Sequence, residues 1–229
     1  MARRARPRTR AHAPGFTLIE AALATVIVGV GILAMVDAQQ AFIKTNTWSS
    51  HAASGTFLAN EIRELTRNLP KHDPVVGLSL DDDGSGGTTL SGWGPNAAEF
   101  GLVDFDDLDD FDGITFSYVG TNGFADGDLP GPINAFGEVV PQIDENGSIV
   151  MNGGVEVPMV GWRQTVLVEK VDPFDTSVVL DDDYVEPPSG DFEGRDVDEF
   201  PLRITVVVTY QRPGSLDVEE VARVSWIRP

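Results

Sequence analysis

The sequence predicts an α+β fold in which one long N-terminal helix lies on a small antiparallel β-sheet. Three observations carry this. An apolar run over residues 16–36 continues into an amphipathic stretch that reaches Pro70. Residues 202–211 alternate as Leu202, Ile204, Val206, Val208 and Tyr210 against Arg203, Thr205, Val207, Thr209 and Gln211, and the alternation resumes through Leu216, Val218, Ala222, Val224 and Trp226 after a Pro213-Gly214 turn. The segment from Trp162 to Val171 is rich in β-branched residues. A period near 3.6 marks a helix and a period of 2 marks a half-buried strand. Two alternating runs around a Pro-Gly turn read as a hairpin.

Residues 1–15 carry Arg3, Arg4, Arg6, Arg8 and Arg10 and no acid. The 21 residues from Phe16 to Val36 are almost wholly apolar. As a helix rising ~1.5 Å per residue they extend about 32 Å, enough to cross a bilayer core. A basic flank before an apolar span puts the N-terminus in the cytoplasm and the remainder outside. An ordinary signal peptide cut near Val36-Asp37-Ala38 and a plain signal anchor share these features, whereas a buried core helix does not explain the basic flank. Glu20 lies inside the span, where an ionisable side chain costs about 2.5–3.5 kcal/mol and calls for a function and a partner. Gly29 and Gly31, mid-span, suit either close helix approach or ordinary membrane-helix composition.

From Trp48 onward Gly55, Leu58, Ile62, Leu65 and Leu69 share one helical face, with Glu61, Arg63, Glu64 and Arg67 off it. The mixed charges argue against a helix lying on anionic lipid, and Pro70 ends the pattern. Four segments result: 1–15 a basic leader, 16–38 the membrane-spanning half of the helix, 39–70 its amphipathic half, and 71–229 an acidic outer β-domain with irregular loops.

Residues 71–112 read as loop, with eleven acids against Lys71. Gly113 to Gly120 reads as a strand with Ile114, Phe116 and Tyr118 on one side. Residues 121–154 hold short strands at most. Residues 172–200 form a second acidic stretch, eleven acids against Arg195. With the strand at 162–171 and the final hairpin, the sheet is a meander of three or four antiparallel strands, one face covered by the helix.

The formal charge is −20, and −25 once the five leader arginines are removed. Such a surface repels nucleic acid and anionic headgroups and suits divalent cations or basic partners. With no cysteine, disulfides, thiolate metal sites and cysteine nucleophiles are excluded. The three histidines, His12, His51 and His72, are too scattered to suggest a site. There is no P-loop and no GxSxG. The Gly84-Ser85-Gly86-Gly87 stretch follows three aspartates and lacks a lysine, so it is no phosphate cradle. No enzyme is expected.

Clustered carboxylates beside glycines are raw material for a Ca²⁺ site, which wants about six to eight oxygens. The candidates are Asp81 and Asp83 in one run and Asp110 and Asp112 in another. The spacing is poor: an EF-hand-like loop ending on Asp110, Asp112 and Gly113 would need a ligand at Leu108. The competing reading is a solvated acidic loop.

Gly15-Phe16-Thr17-Leu18-Ile19-Glu20, after a basic leader and before an apolar helix, resembles the type IV prepilin signature of type IV pilins, minor pilins and type II secretion pseudopilins. The likeness spans about residues 10–45. It implies a pilin-like fold, cleavage between Gly15 and Phe16 by a prepilin peptidase at the cytoplasmic face of a bacterial inner membrane, and N-methylation of Phe16. It implies other pilin-like subunits as partners, with Glu20 pairing the Phe16 amine of a neighbour. A buried pair of this kind acts as a register device, since removing one partner typically costs about 3–5 kcal/mol. Calcium in an outer-domain loop is known among major pseudopilins. The helix-breaking proline and the C-terminal disulfide of many pilins are absent. The N-terminus does not separate pilus, type II secretion and DNA-uptake machines; the long acidic loops tilt toward a minor subunit.

Overall fold

The computed structural model describes residues 16–118 and 127–229. Helix α1 runs from Leu18 to Leu65 without a break. It closes in a 3₁₀ turn, Thr66–Asn68, after which Leu69 is extended. The residue before a proline is driven out of the helical region, so Pro70 sets this end. Contacts divide the chain into a first unit that ends at Thr47 and a second, Trp48–Pro229.

In the first unit every helical residue is exposed, including Leu23, Val26, Ile27, Val30, Leu33 and Phe42. This stretch is long and apolar enough to cross a membrane, and a single such helix can serve as a membrane anchor.

In the second unit α1 buries Gly55, Leu58, Ala59 and Ile62. The predicted stripe is correct for Gly55, Leu58 and Ile62, and Leu65 and Leu69 pack partly buried against the core, whereas Ala59 was not foreseen and Trp48 remains 55% exposed. Gly55 permits close approach: a Cβ there would lie 2.8 Å from Val221 Cγ2 and 3.1 Å from Ala222 Cβ.

The strands are β1 (Ser79–Asp82), β2 (Thr88–Ser91), β3 (Thr115–Tyr118), β4 (Leu129–Pro130), β5 (Met151–Asn152), β6 (Val155–Glu156), β7 (Trp162–Lys170), β8 (Leu202–Gln211) and β9 (Val218–Arg228). The main sheet has the order β4-β3-β7-β8-β9. It is antiparallel except for the short parallel pair β3–β4. The last three strands form the expected meander, with Trp162 opposite Tyr210 and Val206 opposite Val224.

Alternation sorts the faces. Val166, Val168, Leu202, Ile204, Val206 and Val208 join Leu58, Ala59 and Ile62 in one core with Phe111, Phe116 and Ile133. At a bulge between Val208 and Thr209, Val221 is the extra residue of β9, and it turns inward beside Gly55. A bulge bends and twists its strand locally, which lets β9 follow the helix.

Two side chains on the helix-facing side of β7 are polar. Gln164 is fully buried; its Oε1 accepts from Ile133 N (2.7 Å) and its Nε2 donates to Ile133 O (3.0 Å) and Leu58 O (2.8 Å). It thereby joins helix, sheet and the 131–141 loop. Lys170, also fully buried, donates to the carbonyls of Asp182 and Tyr184.

The 71–112 segment departs from the expected loop. Residues 79–91 form a separate two-stranded hairpin, β1–β2, and Asp109–Phe111 a 3₁₀ turn. Short polar strands closed by a Gly-rich turn lack the hydrophobic alternation by which strands are recognised.

Candidate functional site

The cleavage residue Gly15 lies outside the described residues. Phe16 is exposed, and Leu18 begins the helix two residues on. Thr17 and Glu20 form a reciprocal cap. Glu20 Oε2 accepts from Thr17 N (2.9 Å) and Thr17 Oγ1 (2.8 Å), while Glu20 N donates to Thr17 Oγ1 (3.3 Å). This is the capping-box arrangement, in which the first orphan N–H groups of a helix are satisfied by side chains. It gives Glu20 a local role beside the assembly role implied by resemblance. The carboxylate also stands where the helix dipole favours negative charge.

The two predicted acidic runs are built differently. Asp81 and Asp83 belong to the β1–β2 hairpin and are exposed. Asp83 Oδ1 accepts from Ser85 N (2.7 Å), Ser85 Oγ (2.8 Å) and Gly87 N (2.9 Å). These donors hold its carboxyl below the ordinary range. Asp83 therefore closes a turn. Asp112 is half-buried and accepts from Val168 N (2.8 Å) and Trp93 Nε1 (3.4 Å), tying the loop to β7.

Asp110 lies in a group with Asp106 and Asp107 whose ligand oxygens all fall within 4.8 Å of one another. A second such group, Asp73, Glu99 and Asp106, shares Asp106. Asp81, Asp83 and Asp112 belong to neither. The all-carboxylate donor set fits a hard cation such as Ca²⁺ or Mg²⁺ rather than zinc. Asp106 and Asp107 stand in the run noted in the sequence. Asp73 and Glu99 come from distant positions and carry no sequence signal.

The 107–110 acids are not a solvated face: Asp107, Asp109 and Asp110 are 2%, 0% and 1% exposed. Burial, as the leading cause, pushes Asp107 up to about 8, Asp109 to about 7 and Asp110 to about 6. Asp107 and Asp109 share a side-chain hydrogen bond, which requires a proton on one of them. Asp109 Oδ1 also accepts from Gly94 N (3.0 Å).

His72 Nδ1 lies 2.5 Å from Asp109 Oδ2. Burial, then the Lys71 charge, lowers His72 to about 4. The physically consistent form at neutral pH is a neutral imidazole accepting from a protonated Asp109, because burial disfavours the separated charges. His72 Nε2 is buried without a hydrogen-bond partner among the described residues. Lys71 donates to Asp198 O and Phe200 O. These contacts tie the segment that follows α1 to the 94–109 loop and to the 198–200 loop. Sequence reading passed over His72 because its partner lies 37 residues away.

Comparison of the chain with protein-family models, with curated proteins and with solved structures gives no match.

Proposed function

We propose that the chain is a structural subunit, a minor pilin or pseudopilin, of a type IV pilus or type II secretion-like filament. A prepilin peptidase trims it after Gly15, the apolar half of α1 holds it in the inner membrane with the N-terminus cytoplasmic, and that helix then packs among other pilin-like subunits. The observation that carries the reading is the capped start of α1 at Thr17 and Glu20, immediately after Phe16 and leading into thirty exposed helical residues, 18–47. An apolar helix with no intramolecular cover requires lipid or other helices. A carboxylate at its first turn has a natural counter-charge in a free amine at Phe16. The role is structural and involves no catalysis. N-terminal sequencing or intact mass of the processed protein tests this: the expected mature residue is Phe16, N-methylated, and a mature Gln39 would overturn it.

A second reading is favoured by the two carboxylate groups that meet at Asp106. In it the chain is an exported or membrane-anchored acidic binding domain that takes Ca²⁺ through Asp73, Glu99, Asp106, Asp107 and Asp110. Added Ca²⁺ would then raise the melting temperature of the full chain and chelation would lower it; a melt insensitive to both removes the metal.

A further inference from the structure

The second unit, Trp48–Pro229, sorts its loops between two ends. Strand β9 runs alongside α1. A Cβ at Gly55 would meet Val221 and Ala222, the Arg63 guanidinium stands 5.9 Å from the Trp226 ring, and Arg228 donates to the carbonyls of Arg67 (3.4 Å) and Leu69 (3.1 Å). The acidic loops gather where α1 ends. Leu108 N donates to Pro70 O (3.1 Å), and Lys71 donates to the carbonyls of Asp198 and Phe200. Lys170, in line with Arg228 through Leu202, donates to those of Asp182 and Tyr184.

The other end carries rings and apolar side chains instead. There His51 meets Tyr210 (ring centroids 4.3 Å apart), and Tyr210 meets Trp162 (5.0 Å). Trp48, one turn earlier on α1, is exposed. The β8–β9 turn, residues 212–217, projects past Tyr210 and its β9 partner Glu219. Hydrogen bonds fix its shape: Gln211 Nε2 donates to Ser215 O (2.7 Å), Ser215 N to Arg212 O (2.9 Å) and Asp217 N to Ser215 Oγ (3.0 Å). Yet the turn holds Leu216 96% exposed, with Val218 beside it at 52%. A single exposed leucine is ordinary. Here it shares one end of the unit with exposed Trp48 and half-buried Tyr210. The charged residues of the turn and its flanks are Arg212, Asp217, Glu219 and the Glu220–Arg223 pair.

We propose that this end of the unit rests in the headgroup layer of the bilayer that α1 spans, with Leu216 and Val218 toward the acyl chains and Trp48 and Tyr210 at the polar boundary. Three observations select lipid as the occupant. The first is the tether. The chain enters the unit at this end, α1 is unbroken from Leu18, and its rise from Ala38 to His51 is only about 20 Å at ~1.5 Å per residue. The turn extends from Tyr210 toward that entry, and a headgroup layer adds about 5–8 Å outside the hydrocarbon core. The second is side-chain type. Trp and Tyr concentrate at this boundary, because their rings have one apolar and one wet edge. The third is charge. The loops that headgroups would repel lie at the opposite end, and Arg212 against Asp217 and Glu219 comes close to balance, so zwitterionic lipid suffices. The inference rests on the membrane-anchor part of the reading above and does not require filament assembly.

The chain has no cysteine, so single labels report position directly. Full-length Leu216→Cys, carrying an environment-sensitive fluorophore, is reconstituted into phosphatidylcholine vesicles with and without lipid bearing a nitroxide quencher. Leu33→Cys in the apolar helix and Ser85→Cys in the β1–β2 turn are labelled in the same way. The expected result is that the label at 216 loses most of its emission to a headgroup-level nitroxide, while the label at 85 keeps its emission. The label at 33 is quenched by a nitroxide on the acyl chain. Adding Val218→Asp, at an exposed position, restores the emission at 216 with the circular dichroism spectrum unchanged. The contact is overturned if the label at 216 behaves like the one at 85, or if Val218→Asp leaves its quenching unchanged. It is also overturned if that label is blue-shifted but not quenched, since protein rather than lipid then covers the turn. In each of these cases quenching at 33 leaves the membrane anchor standing. If the label at 33 is not quenched either, both fall.

Discussion

Replacing Gln164 with leucine tests the part of the fold that holds three elements together. The volumes are similar and the site is fully buried, so the change isolates hydrogen bonding. Gln164 makes three hydrogen bonds: one from Ile133 N and two to the carbonyls of Ile133 and Leu58. Leu58 O sits within α1 and keeps its helical partner. Ile133 N and O are in a buried loop segment and lose their bonds to β7. A buried donor left without a partner costs about 1–3 kcal/mol, and each lost carbonyl contact about 0.5–1.5 kcal/mol. Allowing for the better apolar transfer of leucine, the net loss is about 2–4 kcal/mol. At about 2–4 °C per kcal/mol for a domain of this size, the melting temperature falls by roughly 5–15 °C. Thermal unfolding followed by near-ultraviolet circular dichroism measures it. Hydrogen exchange locates it, with lost protection concentrated at residues 131–141 and around Leu58. A variant that melts within a degree of the parent, or one whose added exchange is uniform, would refute the claim that Gln164 fastens this loop to helix and sheet.

Two further outcomes follow from the acidic cluster and the helix cap. Asp107 and Asp109 titrate in the folded chain near 8 and 7, above their unfolded values, so the folded state holds more protons. Stability is therefore lost as pH rises through that window, by about 1–2 kcal/mol after solvent screening. His72, lowered to about 4, works in the opposite sense, but only below its unfolded value near 6.5. Melts across neutral to mildly alkaline pH check this, and a flat or rising profile contradicts it. Glu20→Ala is expected to leave cleavage after Gly15 intact while reducing incorporation into filaments, read by comparing processed protein in membrane and sheared-filament fractions. Normal incorporation would remove Glu20 from assembly and leave it only the capping of Thr17.

The two ends of the chain were legible because their signals are local and periodic. Leu58 and Ile62 announce a buried stripe at helical spacing, and β8 and β9 announce themselves by alternation around Pro213-Gly214. The apolar run after Phe16 needs no tertiary information either, since its length and composition already match a bilayer core. The middle was opaque for a physical reason. Burial of a charged side chain depends on which distant groups neutralise it, and nothing at Asp109 marks His72 or Gly94 as its neighbours. A run of aspartates is therefore ambiguous until the chain is folded. In the tertiary structure Asp83 closes an exposed turn, Asp112 fastens β7, and Asp107, Asp109 and Asp110 enter the interior, where desolvation raises their pKa. Asp106 meets Asp73 and Glu99 only because the loops converge. What the sequence by itself determined is the long helix and the terminal strands, where each residue's role follows from its near neighbours. Only the tertiary structure decided which acids are structural and which are exposed, because those properties arise from contacts across many residues of chain.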